Sequence, residues 1–359
     1  MKSVLVGVGQ AGGKVATALA EYDDEMGFHA IRDAIAVNSA EADLQGLPLD
    51  TVLVGQDVVK GHGVGGDNEL GAEVMQRDAD EVMTALSDRI DSETEAVFVV
   101  AGLGGGTGSG GAPVLAKELR RVYDVPVYAI GILPGRDEGS LYQANAGRSL
   151  KTLAREADST ILIDNDAWRE SGDSVAEGMA AINERIARRV GLLLAAGEAV
   201  DGVGESVVDS SEVINTLRGT GVATLGYAAA ESSSEAAANV NVVTSTTRRA
   251  IRSGLSLPDT TSAERGLLVV AGRPETISRK GVERARSWLE TELDTMEVRG
   301  GDFPLSGDRL AALVLLGGVA DSDRLDGFLE RARQAAEAGT DDDEDAASAL
   351  EDDRIDGLL

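Results

Sequence analysis

The chain of 359 residues has no cysteine, and only 3% of its residues are aromatic. The absence of cysteine excludes disulfides, thiolate zinc sites and a cysteine nucleophile. With 43% hydrophobic residues, the cores are expected to be aliphatic. No apolar run approaches the ~18 residues that a membrane span needs, so no direct membrane insertion is predicted. The N-terminus leads directly into a strand rather than a signal peptide, so we expect a cytoplasmic protein, with the inner face of the cell envelope as a further location.

Positive charge is also scarce: the net charge is −29, and only six of the 33 basic residues are lysine. This balance argues against nucleic acid as a partner. A lysine-poor acidic surface is typical of a protein that works in concentrated salt, where ions screen self-repulsion. Residues 339–359 carry nine acids and one arginine, so we predict a disordered acidic tail. Its last eight residues, 352–359, are either a docking peptide for a tail-binding protein or a plain disordered end.

Residues 101–113, AGLGGGTGSGGAP, follow a predicted buried strand at 96–101 and precede a predicted helix at 114–121. Glycines let backbone amides converge on an anion, and a helix N-terminus adds free N–H groups and its dipole. A flexible linker is the alternative, but a linker has no reason to lie between a buried strand and a helix. The segment therefore predicts a phosphate site.

Other loops of the first half also follow strands. Residues 7–12 match GxGxxG, a weak dinucleotide pattern, and residues 60–71 are a second glycine-rich loop. Asp67 and Asn68 there are candidate helix caps, or ligands of phosphate or hydrated magnesium. Because the carboxyl ends of parallel strands share one sheet edge, we expect these loops to meet there. A dinucleotide-dependent oxidoreductase is disfavoured, since Asn38 ends the second strand where an acid is expected.

The predicted fold class is α/β, with a doubly wound parallel sheet in the first half. Residues 1–172 are expected to form the nucleotide-binding domain, with strands at 3–8, 34–37, 51–54, 96–101, 125–130 and 159–163. A long central helix is predicted within 173–200, with Ser174 as its N-cap. Residues 201–338 are predicted to form an α+β domain with strands at 222–229, 266–271 and 310–316 and helices at 233–253, 279–292 and 324–338.

The motif GGGTGSG at 104–110, in its strand–loop–helix context, resembles the signature loop of the tubulin/FtsZ superfamily. The first loop, residues 9–13, is similar to the tubulin form. With its acidic, lysine-poor body, the chain most resembles the CetZ family of haloarchaea over about residues 1–335. The resemblance implies a cytoskeletal GTPase that polymerises head to tail, with GTP or GDP and Mg²⁺ at the subunit interface, acting in cell shape.

Carried over residue by residue, the resemblance implies a GTP site. Phosphate contacts fall on Gly9, Gln10, Ala11, Gly12, Gly65, Gly66, Asp67, Asn68, Gly102, Gly104, Gly105, Gly106, Thr107 and Gly108. The site also includes Lys14, Asn38, Pro134, Glu138, Tyr142, Asn165, Met179 and Asn183, with Glu138 at the ribose and Asn165 and Asn183 at the guanine. The amides of Asn165 and Asn183 suit a guanine edge. No direct protein ligand is assigned to magnesium, and Asp67 is the candidate to hold it through water. Lys14, Tyr142, Met179 and Val207 depart from the FtsZ pattern, which leaves base stacking and kinetics open.

Residues 209–212, DSSE, stand where the family has its catalytic loop. The resemblance implies that Glu212, supported by Asp209, polarises water at the GTP of the next subunit. The alternative is a helix cap, with Asp209 as N-cap and Glu212 at the capping-box position, and both roles are compatible. A GTP-binding scaffold with little turnover is the alternative function.

Overall fold

The computed structural model describes residues 1–168, 175–196, 208–219 and 221–339. Its strands are β1 Ser3–Val8, β2 Ile31–Asn38, β3 Asp50–Leu53, β4 Ala96–Gly102, β5 Val127–Leu133, β6 Ser159–Asp164, β7 Val222–Glu231, β8 Thr260–Gly272, β9 Val298–Pro304 and β10 Arg309–Ser322. Its helices are α1 Gly9–Met26, α2 Glu41–Leu44, α3 Gln56–Val59, α4 Asn68–Leu86, α5 Thr107–Val122, α6 Ser140–Glu156, α7 Val175–Ala196, α8 Ser210–Leu217, α9 Val240–Ser253, α10 Arg279–Glu292 and α11 Asp323–Gly339. Among these residues, no helix is both long and apolar enough to cross a bilayer.

All described strands belong to one sheet, in the order β3-β2-β1-β4-β5-β6-β7-β10-β8-β9. Neighbours from β3 to β7 pair in parallel, and β10 runs antiparallel to both of its neighbours. The first six strands have the doubly wound order, whose direction reverses between β1 and β4. A ligand is therefore expected at the carboxyl ends of β1 and β4.

The sheet is covered on both faces. Strands β1, β4, β5 and β6 are almost entirely buried, as parallel strands packed between two helical layers should be. One core joins the sheet to α1, α7 and α8, and a second joins it to α4, α5, α6 and α11. A third core packs α9 and α10 on the strands of the second half.

The predicted phosphate loop is much shorter than the sequence indicated. Helix α5 begins at Thr107, so residues 107–113 are helical and only 103–106 form a loop. Pro113 lies inside the helix and cannot donate to the Ser109 carbonyl one turn earlier. The Ser149 hydroxyl donates to that carbonyl instead, at 2.7 Å. Tertiary contacts therefore stabilise a helix that glycine and proline would otherwise disfavour.

Several glycines of the motif serve packing rather than phosphate. A Cβ on Gly110 would overlap the carbonyl oxygen of Asn68 and lie 2.5 Å from the Ala72 nitrogen. Helices α4 and α5 approach each other there with backbone against backbone. The motif thus combines a ligand loop at its start with a helix contact at its end.

We expect Gly110→Ala to lower the free energy of unfolding by ~3 kcal/mol, because overpacking forces the two helices apart. The measurement is denaturant unfolding of the nucleotide-free protein in concentrated salt. Gly327→Ala on α11 is the matched control, since its nearest neighbour would be the Arg331 Nη1 at 3.6 Å. That control should be unchanged or slightly more stable. A Gly110→Ala protein as stable as wild type would contradict the packing role.

The second half differs from the prediction in two ways. Its strands extend the first sheet through the β6–β7 pairing, a continuity that the sequence did not indicate. Strand β9 was not predicted, because VRGGDFP contains two glycines and no clear alternation. The predicted N-cap Ser174, the departure at Val207 and the tail at 340–359 lie outside the described residues.

Candidate nucleotide-binding site

A cavity of about 960 Å³ lies at the carboxyl ends of the parallel strands. It lies where the order of the sheet reverses, between the loops that follow β1 and β4. The residues predicted from the sequence that line it are Gly9, Gln10, Ala11, Lys14, Asn38, Gly65, Gly66, Gly102, Gly104, Gly105, Gly106, Thr107, Gly108, Pro134, Glu138, Tyr142, Asn165, Met179 and Asn183. The structure thus brings together segments that are up to 174 positions apart in the chain (9 to 183).

Three of the residues predicted for the GTP site lie outside the described cavity wall: Gly12, Asp67 and Asn68. A Cβ on Gly12 would overlap the carbonyl oxygen of Val100, so this glycine lets α1 pack closely on β4. The Asp67 carboxylate accepts from the N–H groups of Glu69 and Leu70, both at 3.0 Å. Asp67 is therefore the N-cap of α4, which is one of the two roles predicted for it. Asn68 is the first residue of the helix.

Asp43 is a wall residue that the sequence did not reveal. It lies on the four-residue helix α2, which is too short to give a periodic signal. Its carboxylate accepts from Gln10 Nε2 at 2.7 Å and from Asn38 Nδ2 at 3.2 Å. Asp43 thus orients two amides of the wall, those of Gln10 and Asn38.

The phosphate end of the cavity is formed by backbone. Helices α1 and α5 begin at Gly9 and Thr107, and both residues line the cavity. Their free N–H groups and dipoles favour an anion. A Cβ on Gly105 would meet nothing within 4 Å, so the loop leaves open space beside its backbone. The Thr107 hydroxyl is held by Ser39 at 2.7 Å.

The opposite end of the cavity carries polar side chains. Glu138 accepts from the Gly135 N–H at 2.7 Å, which closes the loop between β5 and α6. Asn165 is 6% exposed, and within the described chain its Oδ1 is buried without a hydrogen-bond partner. Asn165 nevertheless lines the cavity, so another part of this residue faces the ligand space.

The two predicted catalytic acids lie far from this cavity. Asp209 caps α8, accepting from the Glu212 N–H at 3.1 Å. Ser210 donates to Glu95 at 2.5 Å, and Glu95 immediately precedes β4. Helix α8 therefore lies at the amino edge of the sheet, about 20 Å from the phosphate loop, since a strand rises ~3.3 Å per residue. No residue of 208–219 lines the cavity.

The environments of the two carboxyl groups differ. Burial, and then the charge of Asp209, raise the pKa of Glu212. The hydrogen bond from the Ser211 hydroxyl lowers the pKa of Asp209. Two neighbouring carboxyls with opposite shifts are suited to different tasks, one to proton handling and one to a fixed charge.

The model of the Tubulin/FtsZ family GTPase domain matches residues 2–173, and that of the tubulin-like CetZ C-terminal domain matches residues 172–334. Tubulin-like protein CetZ2 of Haloferax volcanii is 65% identical over 360 residues, covering 100% of both chains. The chain belongs to the CetZ family. CetZ1 of the same organism is 50% identical, covering 90% of each chain. The family excludes the oxidoreductase alternative and confirms the predicted resemblance.

Solved structures of CetZ proteins have the same fold. The structure of a GTPγS-bound protofilament of Haloferax volcanii CetZ2 superposes with a TM-score of 0.92, covering 95% of this chain and 100% of that one. The structure of the GDP-bound monomer of Haloferax volcanii CetZ1 superposes with a TM-score of 0.86, covering 93% of this chain and 99% of that one. FtsZ of M. jannaschii, at 24% identity and a TM-score of 0.72 over 89% and 88% of the two chains, shares the fold. The predicted α/β fold class is confirmed.

Proposed function

We propose that the chain binds GTP in this cavity, assembles head to tail and hydrolyses GTP where two subunits meet. One observation carries the proposal: the cavity and the acids of α8 lie at opposite ends of the same strands. A subunit stacked along the strand direction brings its acidic edge over the cavity of the one below. The GTPγS-bound protofilament of a relative supports such an assembly.

Guanine is the base that the cavity suits best. Asn165 lies on the cavity wall, and its side-chain amide can pair with the guanine edge, which offers N1–H and the 2-amino group. Adenine has no hydrogen on N1 and no 2-amino group. Asn183, also on the wall, supplies a second amide to the same end.

Magnesium fits this site as a hydrated ion held by phosphate. Asp43 and Glu138 are the carboxylates of the described wall, and both accept hydrogen bonds from protein groups. Magnesium retains several waters and commonly binds nucleotides through phosphate oxygens, so it needs little from the protein. It would neutralise phosphate charge, while Asp67 remains the candidate to contact it through water.

For hydrolysis we assign the direct role to Glu212 and the supporting one to Asp209. Glu212 of one subunit orients the water that attacks the γ-phosphorus of its neighbour's GTP, and GDP leaves. Asp209 holds the start of α8, so the helix cap and the catalytic role are compatible. Hydrolysis is then linked to assembly, and the product state loosens the contact.

GTP turnover per subunit should rise steeply with protein concentration in concentrated salt, in step with sedimentable polymer. Dilute protein should bind GTP and release little phosphate. Equal turnover per subunit at all concentrations would contradict hydrolysis at the interface. Polymer that forms without phosphate release would instead identify a non-hydrolysing scaffold.

A role in cell shape and a partner for the tail stay predictions from the family resemblance. Deleting residues 340–359 should leave GTP binding intact, because the described residues that line the cavity run from Val8 to Asn183, well before that segment. Imaging of cell outline and of filament position, in strains with the deletion and in strains lacking the protein, tests both roles.

A further inference from the structure

One buried arginine holds both residues that flank Asn165. Arg324, at the start of α11, donates through Nε and Nη2 to the carboxylate of Asp164, the latter at 3.0 Å. Its Nη2 also donates to Asp166 Oδ2 at 2.7 Å. The side chains of Arg324 and Asp164 are 7% and 2% exposed. Such a buried fork fixes geometry as well as charge.

The same network reaches a second loop of the cavity. Asp166 accepts from the backbone N–H of Arg136 at 3.1 and 3.2 Å, and its carboxylate lies 3.3 Å from Arg136 Nε. Arg136 lies between the wall residues Pro134 and Glu138. One guanidinium therefore anchors the loops that follow β5 and β6, which carry the sugar and base end of the cavity.

Asp164 also sets the turn that contains Asn165. Its Oδ1 accepts from the Asp166 N–H at 3.1 Å, which caps a short 3-10 turn over Asn165–Ala167. The Asp164 N–H donates to the Ser256 carbonyl at 2.8 Å, so the end of β6 is fixed from two sides. Asn165 thus stands between two carboxylates that cannot move independently of Arg324.

We propose that Arg324 is a positioning residue for guanine, which holds the Asn165 amide against the edge of the base that carries N1–H and the 2-amino group. The inference rests on the proposed binding of GTP. Arg324 acts through Asp164 and Asp166 and is not itself a residue of the described wall. Lysine cannot reproduce its role, because an ammonium group lacks the rigid fork that spans two carboxylates.

The test compares GTP with inosine triphosphate, which lacks only the 2-amino group, in wild type and Arg324→Lys. Equilibrium binding is measured to unassembled protein in concentrated salt. We expect affinity for GTP to fall about tenfold, the equivalent of one hydrogen bond, and affinity for inosine triphosphate to fall about threefold. The ratio of the affinity for GTP to the affinity for inosine triphosphate is therefore expected to be smaller in Arg324→Lys than in wild type. Arg333→Lys, exposed on the same helix, is the matched control and should keep both affinities.

Asp166→Ala is the second variant, in case Arg324→Lys does not fold. This variant removes the link to Arg136 and retains the buried Arg324–Asp164 pair. We therefore expect the ratio of GTP affinity to inosine triphosphate affinity to fall less than in Arg324→Lys. Equal losses for both nucleotides, together with a lower thermal midpoint, would show a general structural role and overturn the inference. Unchanged preference in both variants would also overturn it. A wild-type protein that prefers ATP to GTP would instead overturn the proposed function.

Discussion

Glu212→Ala is expected to bind GTP as wild type does and to lose hydrolysis by about 10²–10⁴-fold, the usual contribution of a positioned acid or base. Binding should persist because Glu212 lies at the opposite edge of the sheet from the cavity. Filaments should persist longer, because the GDP-bound state, which loosens the contact between subunits, forms slowly. The measurements are GTP affinity of dilute protein, phosphate release from assembled protein, and the lifetime of polymer after dilution.

A second variant at this helix and a control on α10 separate catalysis from folding. Asp209→Asn keeps a side chain able to cap α8 and removes its charge, so stability should be retained while turnover falls less than for Glu212→Ala. Glu283→Ala removes an exposed acid from α10 and should change none of the three measurements. Wild-type turnover in Glu212→Ala filaments would remove Glu212 from the mechanism.

Gly105→Val should abolish detectable GTP binding, with a loss of affinity of about 100-fold or more, without destabilising the fold. The reason is steric: a Cβ at Gly105 meets no protein atom within 4 Å, yet Gly105 lines the cavity at the phosphate loop. The added Cβ therefore enters the space that the ligand would occupy without contacting the protein. Nucleotide binding and thermal unfolding of the nucleotide-free protein are measured together.

Gly139→Ala is the matched control for this substitution. A Cβ on Gly139 would also meet nothing within 4 Å, but this glycine precedes α6 and is not a residue of the described wall. The variant should bind GTP normally. Wild-type affinity in Gly105→Val would mean that the phosphate does not lie against the 103–106 loop.

Local pattern was enough to predict the parallel sheet and the edge at which its loops meet. Strands such as Ser3–Val8 and Ser159–Asp164 are apolar along nearly their whole length, and this pattern depends only on their burial. The residues of the cavity wall came mainly from the family resemblance. Their presence on one wall follows from the order of the strands, which brings the loops after β1 and β4 together.

What the sequence did not reveal depends on contacts between distant segments. Helix α5 begins at Thr107 because Gly110 packs on α4 and Ser149 satisfies the carbonyl that Pro113 leaves free. Arg324 lies 160 positions from Asp164, so no spacing in the chain indicates their pairing. Asp43 lies on a single helical turn, which gives no periodic signal.

Mixing Glu212→Ala with Gly105→Val tests hydrolysis between subunits most directly. Each variant alone should release little phosphate. Glu212→Ala lacks the catalytic acid, and Gly105→Val does not bind GTP. In a co-sedimenting 1:1 mixture, turnover should recover to at most about a quarter of wild type, because head-to-tail contacts form at random and only one combination joins an intact cavity to an intact acid. If the co-assembled mixture releases phosphate no faster than the two variants do separately, hydrolysis between subunits is contradicted.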